Sequence, residues 1–123
     1  MSIHEQWLLS AEEDYDSAIV LFNAKLNSPS IFHTQECAEK VLKAFFAYKN
    51  MIIPESHNLD ELWLKCSELD KDFNTIYMNA MDLNRFDIRF RNQEVILDPS
   101  VNDVQNAIKN SELIFTFVKS KCI

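Results

Sequence analysis

The sequence predicts an all-α fold: an up-and-down antiparallel helical bundle of four long helices plus one short helix. Three observations carry that reading. The chain has no glycine and only three prolines, 47% of its residues are hydrophobic, and apolar residues recur at spacings of three and four along most of its length. Tight hairpins, glycine-cradled phosphate loops and G-x-G nucleotide turns all depend on glycine, so β-rich and dinucleotide-binding architectures are disfavoured. With 123 residues the chain fits one domain, residues 1–123, around a single core.

Helix one opens with Ser2 and Glu5, a capping-box spacing. Trp7, Ala11, Ala18 and Leu21 then follow at helical intervals to about Leu26. Asp14 falls on the same stripe. A carboxylate beside an apolar seam needs a cation or several donors, so a basic partner from another helix is expected, the alternative being a place at the seam's wet edge. Asn27-Ser28-Pro29-Ser30 reads as a turn in which Pro29 or Ser30 sets the first turn of helix two, from about Ile31 to Lys49. Its core line is Ile31, Ala38, Val41 or Leu42, Phe45 and Tyr48.

Glu36, Glu39, Lys40 and Lys43 share another face of helix two. Glu36 and Lys40, like Glu39 and Lys43, have the i,i+4 order that supports an exposed helix by about 0.2–0.5 kcal/mol per pair. A solvated charged face and a groove lined together with Asp14 and His57 are the two readings. Pro54, in the linker from Met51 to Ser56, keeps helix two from continuing. His57 begins a short third helix, either capping it or meeting an anion when protonated. Leu59, Leu62, Trp63, Cys66 and Leu69 form that helix's apolar face.

A fourth helix starts at Asp70 or Asp72 and turns Phe73, Ile76, Tyr77, Ala80 and Leu83 inward. From Asn84 to Pro99 the period changes, because Phe86, Ile88 and Phe90 alternate with Asp87, Arg89 and Arg91. An extended segment would separate aromatics from arginines, whereas a continued helix would make Arg85 and Arg89 an i,i+4 pair. Ser100 and Asp103 give a second capping signature. The last helix, Val101 to about Lys119, buries Val104, Ala107, Ile108, Ile114, Phe115 and Val118.

The net charge of −7 opposes nonspecific binding to nucleic acid or an anionic membrane. Positive charge is nevertheless uneven: residues 1–61 hold four of the twelve Lys and Arg, and the three arginines are Arg85, Arg89 and Arg91. A local anion site is compatible with that distribution. Arg89 and Arg91 are the preferred phosphate contacts, since a guanidinium grips two oxygens at once; pairing of Arg89 with Asp14 is the structural alternative.

Cys37, Cys66 and Cys122 are odd in number and widely spaced, which suits free thiols in a reducing compartment. The N-terminus lacks a basic region followed by an apolar run, so neither a signal peptide nor a membrane span is indicated, and the expected location is the cytoplasm. His33 and Cys37 lie four apart, but two ligands without a third do not make a metal site. Glu12-Glu13-Asp14-x-Asp16 imitates paired metal carboxylates only superficially, because its members point in different directions. No catalytic residue, metal or cofactor is assigned.

Taken together, Trp7, Ala11, Asp14 and Ala18, then Phe32, Gln35, Glu39, Lys40, Lys43 and Ala44, resemble the HEPN domain family. Pro54, Ser56, His57 and Leu59 match its P-x-x-H-x-L pattern, and Arg89-Phe90 stands where many members have Arg-Tyr-Pro. The resemblance covers essentially the whole chain. It implies a bundle that forms a homodimer and, beside a separately encoded minimal nucleotidyltransferase, helps bind nucleotide or polynucleotide without doing chemistry itself. Lys40, Lys43, His57, Arg89 and Arg91 are then the ligand-binding candidates, with Asp14 as their structural polar partner.

A second branch of the family consists of metal-independent ribonucleases, many of them toxins, with an Arg-x(4–6)-His motif. No histidine follows His57 here, so the acid-base group that 2′-hydroxyl attack needs is missing from that motif. A divergent ribonuclease using Arg89 and His57, and a purely structural assembly module, are the alternatives.

Overall fold

The structure, a computed structural model, describes residues 1–92 and 98–123, with side chains through residue 86 and again from residue 98. The elements are α1 (Ile3–Asn23), α2 (Asn27–Tyr48), α3 (Leu59–Leu69), a 3₁₀ helix (Lys71–Ile76), α4 (Tyr77–Asn92) and α5 (Val101–Lys121). Among the described residues there is no strand, and α3 is the short helix beside four longer ones. Among the described residues no helix is long and apolar enough to cross a membrane.

Local chemistry fixes most helix ends. Both expected capping boxes are present, Ser2 with Glu5 at the start of α1 and Ser100 with Asp103 at the start of α5. Without glycine, two left-handed positions fall to Lys25 (φ 63°) and Asn50 (φ 57°). Each ends a helix in the same way: Leu26 N–H donates to the Leu21 carbonyl and Met51 N–H to the Phe46 carbonyl, both at 2.9–3.0 Å. Asparagine tolerates this conformation, whereas Lys25 bears a cost of roughly 1–2 kcal/mol.

Three expectations shift. Helix α2 begins at Asn27 rather than near Ile31, and Pro29 sits in its first turn, where a missing N–H costs no intrahelical bond. Asn58, not His57, caps α3, its Oδ1 accepting from Glu61 N–H at 3.1 Å. The expected fourth helix divides into a 3₁₀ turn capped by Asp70 and α4, which stays helical to Asn92. That places Arg85 and Arg89 one turn apart along the backbone and removes an extended conformation at Phe86–Phe90.

Helix α2 touches α1, α3, α4 and α5, so it is the centre of the bundle. Val41, Leu42, Ala44 and Phe45 are all essentially buried, more than one face of a peripheral helix would hide. Aromatic rings continue this core outward: Phe45 lies 4.7 Å from Phe73, and Phe73 lies 5.1 Å from Phe117, linking α2, the 3₁₀ turn and α5. Trp63 donates its indole N–H to the Phe73 carbonyl at 2.7 Å, which satisfies the polar end of a buried ring.

Buried polar groups set helix register. Ser30 Oγ donates to the Ala18 carbonyl at 2.7 Å, Gln35 Nε2 to the Leu83 carbonyl at 3.0 Å, and Asn84 Oδ1 accepts the Leu59 N–H at 3.2 Å. The last of these satisfies a first-turn donor of α3 with a side chain from α4. Asn84→Ala is expected to leave that buried donor without its partner and to cost about 1–3 kcal/mol in urea unfolding. Phe45→Ala is expected to cost about 3–5 kcal/mol in the same measurement.

Candidate functional site

Two ionic clusters lie along α2, the first around Asp14. Its Oδ1 is 2.8 Å from His33 Nδ1 and its Oδ2 is 2.7 Å from Lys40 Nζ. The Lys40 contact is an ion pair without hydrogen-bond alignment, since Lys40 Nζ directs its bond to Ser10 Oγ at 2.9 Å and Asp14 Oδ2 has no aligned donor. Asp14 is 9% exposed, so the expected basic partner from another helix is present and the wet-edge alternative is not realised. Pairing of Asp14 with Arg89 concerns a side chain outside the described residues.

The second cluster is centred on Glu39. Its Oε2 accepts from Lys43 Nζ at 3.2 Å and lies 3.0 Å from His57 Nδ1. Glu39 and Lys43 are each 6% exposed, which corrects the reading of this face as solvated. The reason is topological: a helix with neighbours on several sides has little surface left for its charges. Lys43 Nζ also lies 6.0 Å from the Trp7 ring centroid, so α1 supplies part of the ammonium's surroundings. His57 is different, with its side chain 61% exposed.

Glu36 sits between the clusters. Burial raises its carboxyl above the usual range, and the negative charges of Glu39 and Asp14 push the same way, against Lys40 and His57. Asp14, Lys40, Lys43 and His57 therefore belong to one electrostatic neighbourhood along α2, although the direct contacts divide into two groups. The side chains of Arg89 and Arg91 lie outside the described residues, on the last turns of α4. Sequence reasoning missed that Glu39 holds His57 and that His33 holds Asp14. No local pattern indicated either, since Glu39 and His57 are 18 positions apart and Asp14 and His33 are 19.

His33 Nδ1 is committed to Asp14, and among the described residues no three His, Cys, Asp or Glu side chains gather around a possible ion. Burial pushes the thiols of Cys37 and Cys122 up to about 12 and about 11, which disfavours the thiolate at neutral pH. Glu12, Glu13 and Asp16 face solvent while Asp14 turns inward, as divergent directions on one helix require.

Across the α1–α5 contact, Tyr15 donates to Glu112 Oε2 at 2.7 Å, and this bond pushes the phenol up to about 12. A raised phenol favours the protonated form in the folded state. Its contribution is therefore complete below the ordinary value near 10 and is lost as pH rises through about 12. Stability of the wild type should fall more steeply than that of Tyr15→Phe over this interval, read by chemical unfolding.

Breaking the second cluster has a sharper outcome. Glu39→Gln leaves the Lys43 ammonium buried without its carboxylate, and a loss of about 3–5 kcal/mol is expected. Combining Glu39→Leu with Lys43→Met should recover much of that loss, because a buried pair replaced by apolar volume is often neutral. Thermal and urea unfolding of the single and double variants would read both.

The HEPN domain family profile matches residues 4–121. No protein of curated function matches the chain. The crystal structure of an archaeal HEPN homologue superposes with a TM-score of 0.80 at 21% identity, over 100% of both chains. At that identity the likeness concerns the fold, while the family match spans nearly the entire sequence, and the chain belongs to the HEPN domain family.

Proposed function

We propose that this protein is a noncatalytic HEPN binding module that forms a homodimer, meets the phosphate of a nucleotide or polynucleotide, and works beside a separately encoded minimal nucleotidyltransferase. The observation that carries the reading is the placement of His57. Its ring is 61% exposed, yet Nδ1 is anchored 3.0 Å from a carboxylate that is almost fully buried. Such an anchor orients the imidazole and leaves the rest of the ring open to a ligand.

Lys40 and Lys43 play supporting parts in this proposal. Their charges are offset by Asp14 and Glu39, so they hold the carboxylates in place while His57, with Arg89 and Arg91 from α4, meets phosphate. Exposed Val20 and Phe32, 66% and 52% accessible, supply apolar area on α1 and α2 for the homodimer contact.

A second reading, a divergent metal-independent ribonuclease, is favoured by the same His57–Glu39 pair, because a carboxylate-held imidazole suits proton transfer from a 2′-hydroxyl. Metal-free incubation with a structured RNA distinguishes them: the binding module leaves the RNA intact, whereas the ribonuclease cuts it and loses cutting in His57→Ala.

The binding reading predicts a dimeric mass in light scattering, reduced to monomer by Val20→Glu with Phe32→Glu. It also predicts calorimetric heats with a nucleoside triphosphate or with the nucleotidyltransferase, the former weakened about tenfold or more by His57→Ala. A monomer at every concentration, with silent titrations against both, would overturn it.

A further inference from the structure

Helices α4 and α5 enclose a polar groove of about 250 Å³ whose lining includes Asp82, Arg85, Phe86, Asp103, Asn106 and Lys109. We propose that this groove is a second ligand site, for a small phosphomonoester that carries hydroxyl groups, of the ribose phosphate class. The inference does not rest on the His57 site. Asn84 Oδ1 accepts from α3, whereas Asp82, Arg85 and Phe86 line the groove that α4 forms with α5.

Charge and donor pattern lead to the ligand class. Arg85 and Lys109 make no ion pair within 4.0 Å among the described residues, unlike Lys40, Lys43 and Lys121. Arg85 is instead stacked, its Cζ 5.0 Å from the centroid of the Phe86 ring, which limits the orientations of the guanidinium. A guanidinium and an ammonium lining one groove suit a phosphate group. The net charge of −7 does not forbid this, because charges farther away than about 8 Å are largely screened at physiological salt.

Asp82 and Asp103 line the same groove and would repel a bare phosphate. A ligand that gives them hydroxyl donors converts that repulsion into hydrogen bonding, as carboxylates do with ribose. Asn110, also in the lining, accepts from Asn79 Nδ2 at 3.0 Å through its Oδ1, leaving its amide N–H donors for other partners. The volume lies below the roughly 300–1,000 Å³ of drug-sized sites, which favours a sugar phosphate or nucleoside monophosphate over a triphosphate or a polynucleotide.

NMR titration of the isotope-labelled full chain with ribose 5-phosphate, adenosine monophosphate, ribose and inorganic phosphate tests the assignment. Saturable shifts should centre on the amides of residues 82–86 and 103–110, with ribose 5-phosphate held about tenfold more tightly than inorganic phosphate. Arg85→Gln and Lys109→Gln should each weaken it about tenfold. Asp82→Asn should weaken ribose 5-phosphate while leaving inorganic phosphate unchanged or tighter, and Lys71→Gln, a cation removed away from the groove, should change neither. All four substitutions alter exposed side chains, and retained spectral dispersion confirms folding.

Tighter binding of adenosine monophosphate than of ribose 5-phosphate would support a nucleotide ligand, and equal binding a sugar phosphate. Absence of saturable shifts up to about 10 mM would overturn the proposal, because an affinity weaker than that is not specific recognition. Shifts found only outside residues 82–86 and 103–110, or equal affinity for inorganic phosphate at the groove, would overturn it as well.

Discussion

Enclosure of α2 by four other helices is the constraint on which the rest of the structure depends. A peripheral helix divides its residues between a buried stripe and a wet face. A central helix keeps far less wet surface, and a charge it buries needs a partner inside the protein. Glu39 and Lys43 answer to one another across a single turn, and Lys40 answers to Asp14 on α1. These pairs are weak evidence for net stability, since desolvation offsets much of their attraction, but they are strict about geometry because a lone buried charge is costly. The Asp14 contacts with Lys40 and His33 thereby fix how α1 lies against α2.

The same constraint shapes the candidate functional surface. Glu39, held in the interior by Lys43, extends one oxygen to His57 at the mouth of α3. An exposed imidazole on a flexible linker would have little orientation of its own. Here it is referred to the bundle's centre, so that a residue on a loop acquires some of the rigidity of a helix. Asn84 reinforces this junction from α4 by receiving the Leu59 N–H. Helices α2, α3 and α4 thus meet beside His57, and α4 carries Arg85, Arg89 and Arg91 along its later turns.

The HEPN fold leaves chemistry to individual side chains. In this chain the ribonuclease motif has no histidine after the arginines, and the histidine that is present is anchored through a different element. That substitution of position favours binding over catalysis in the proposed reading: an oriented imidazole serves phosphate recognition without a paired acid and base. The groove between α4 and α5 has a different character, with Arg85 and Lys109 facing Asp82 and Asp103 among its described lining residues.

The sequence by itself determined the helical class and many of its boundaries, because those depend on interactions within three to six residues. Ser2 with Glu5 and Ser100 with Asp103 are complete local devices, and the absence of glycine restricts turns without reference to neighbours. The early start of α2 and the choice of Asn58 over His57 as cap were less legible, since Asn27, Ser28, His57 and Asn58 are all competent near a helix start. Only the tertiary structure decided that Glu39 and Lys43 are interior, that His33 serves Asp14, and that His57 reaches Glu39. Periodicity reports which residues share a face; how many faces are covered depends on the arrangement of helices around α2, and contacts such as Asp14 with Lys40 join positions that no local pattern connects.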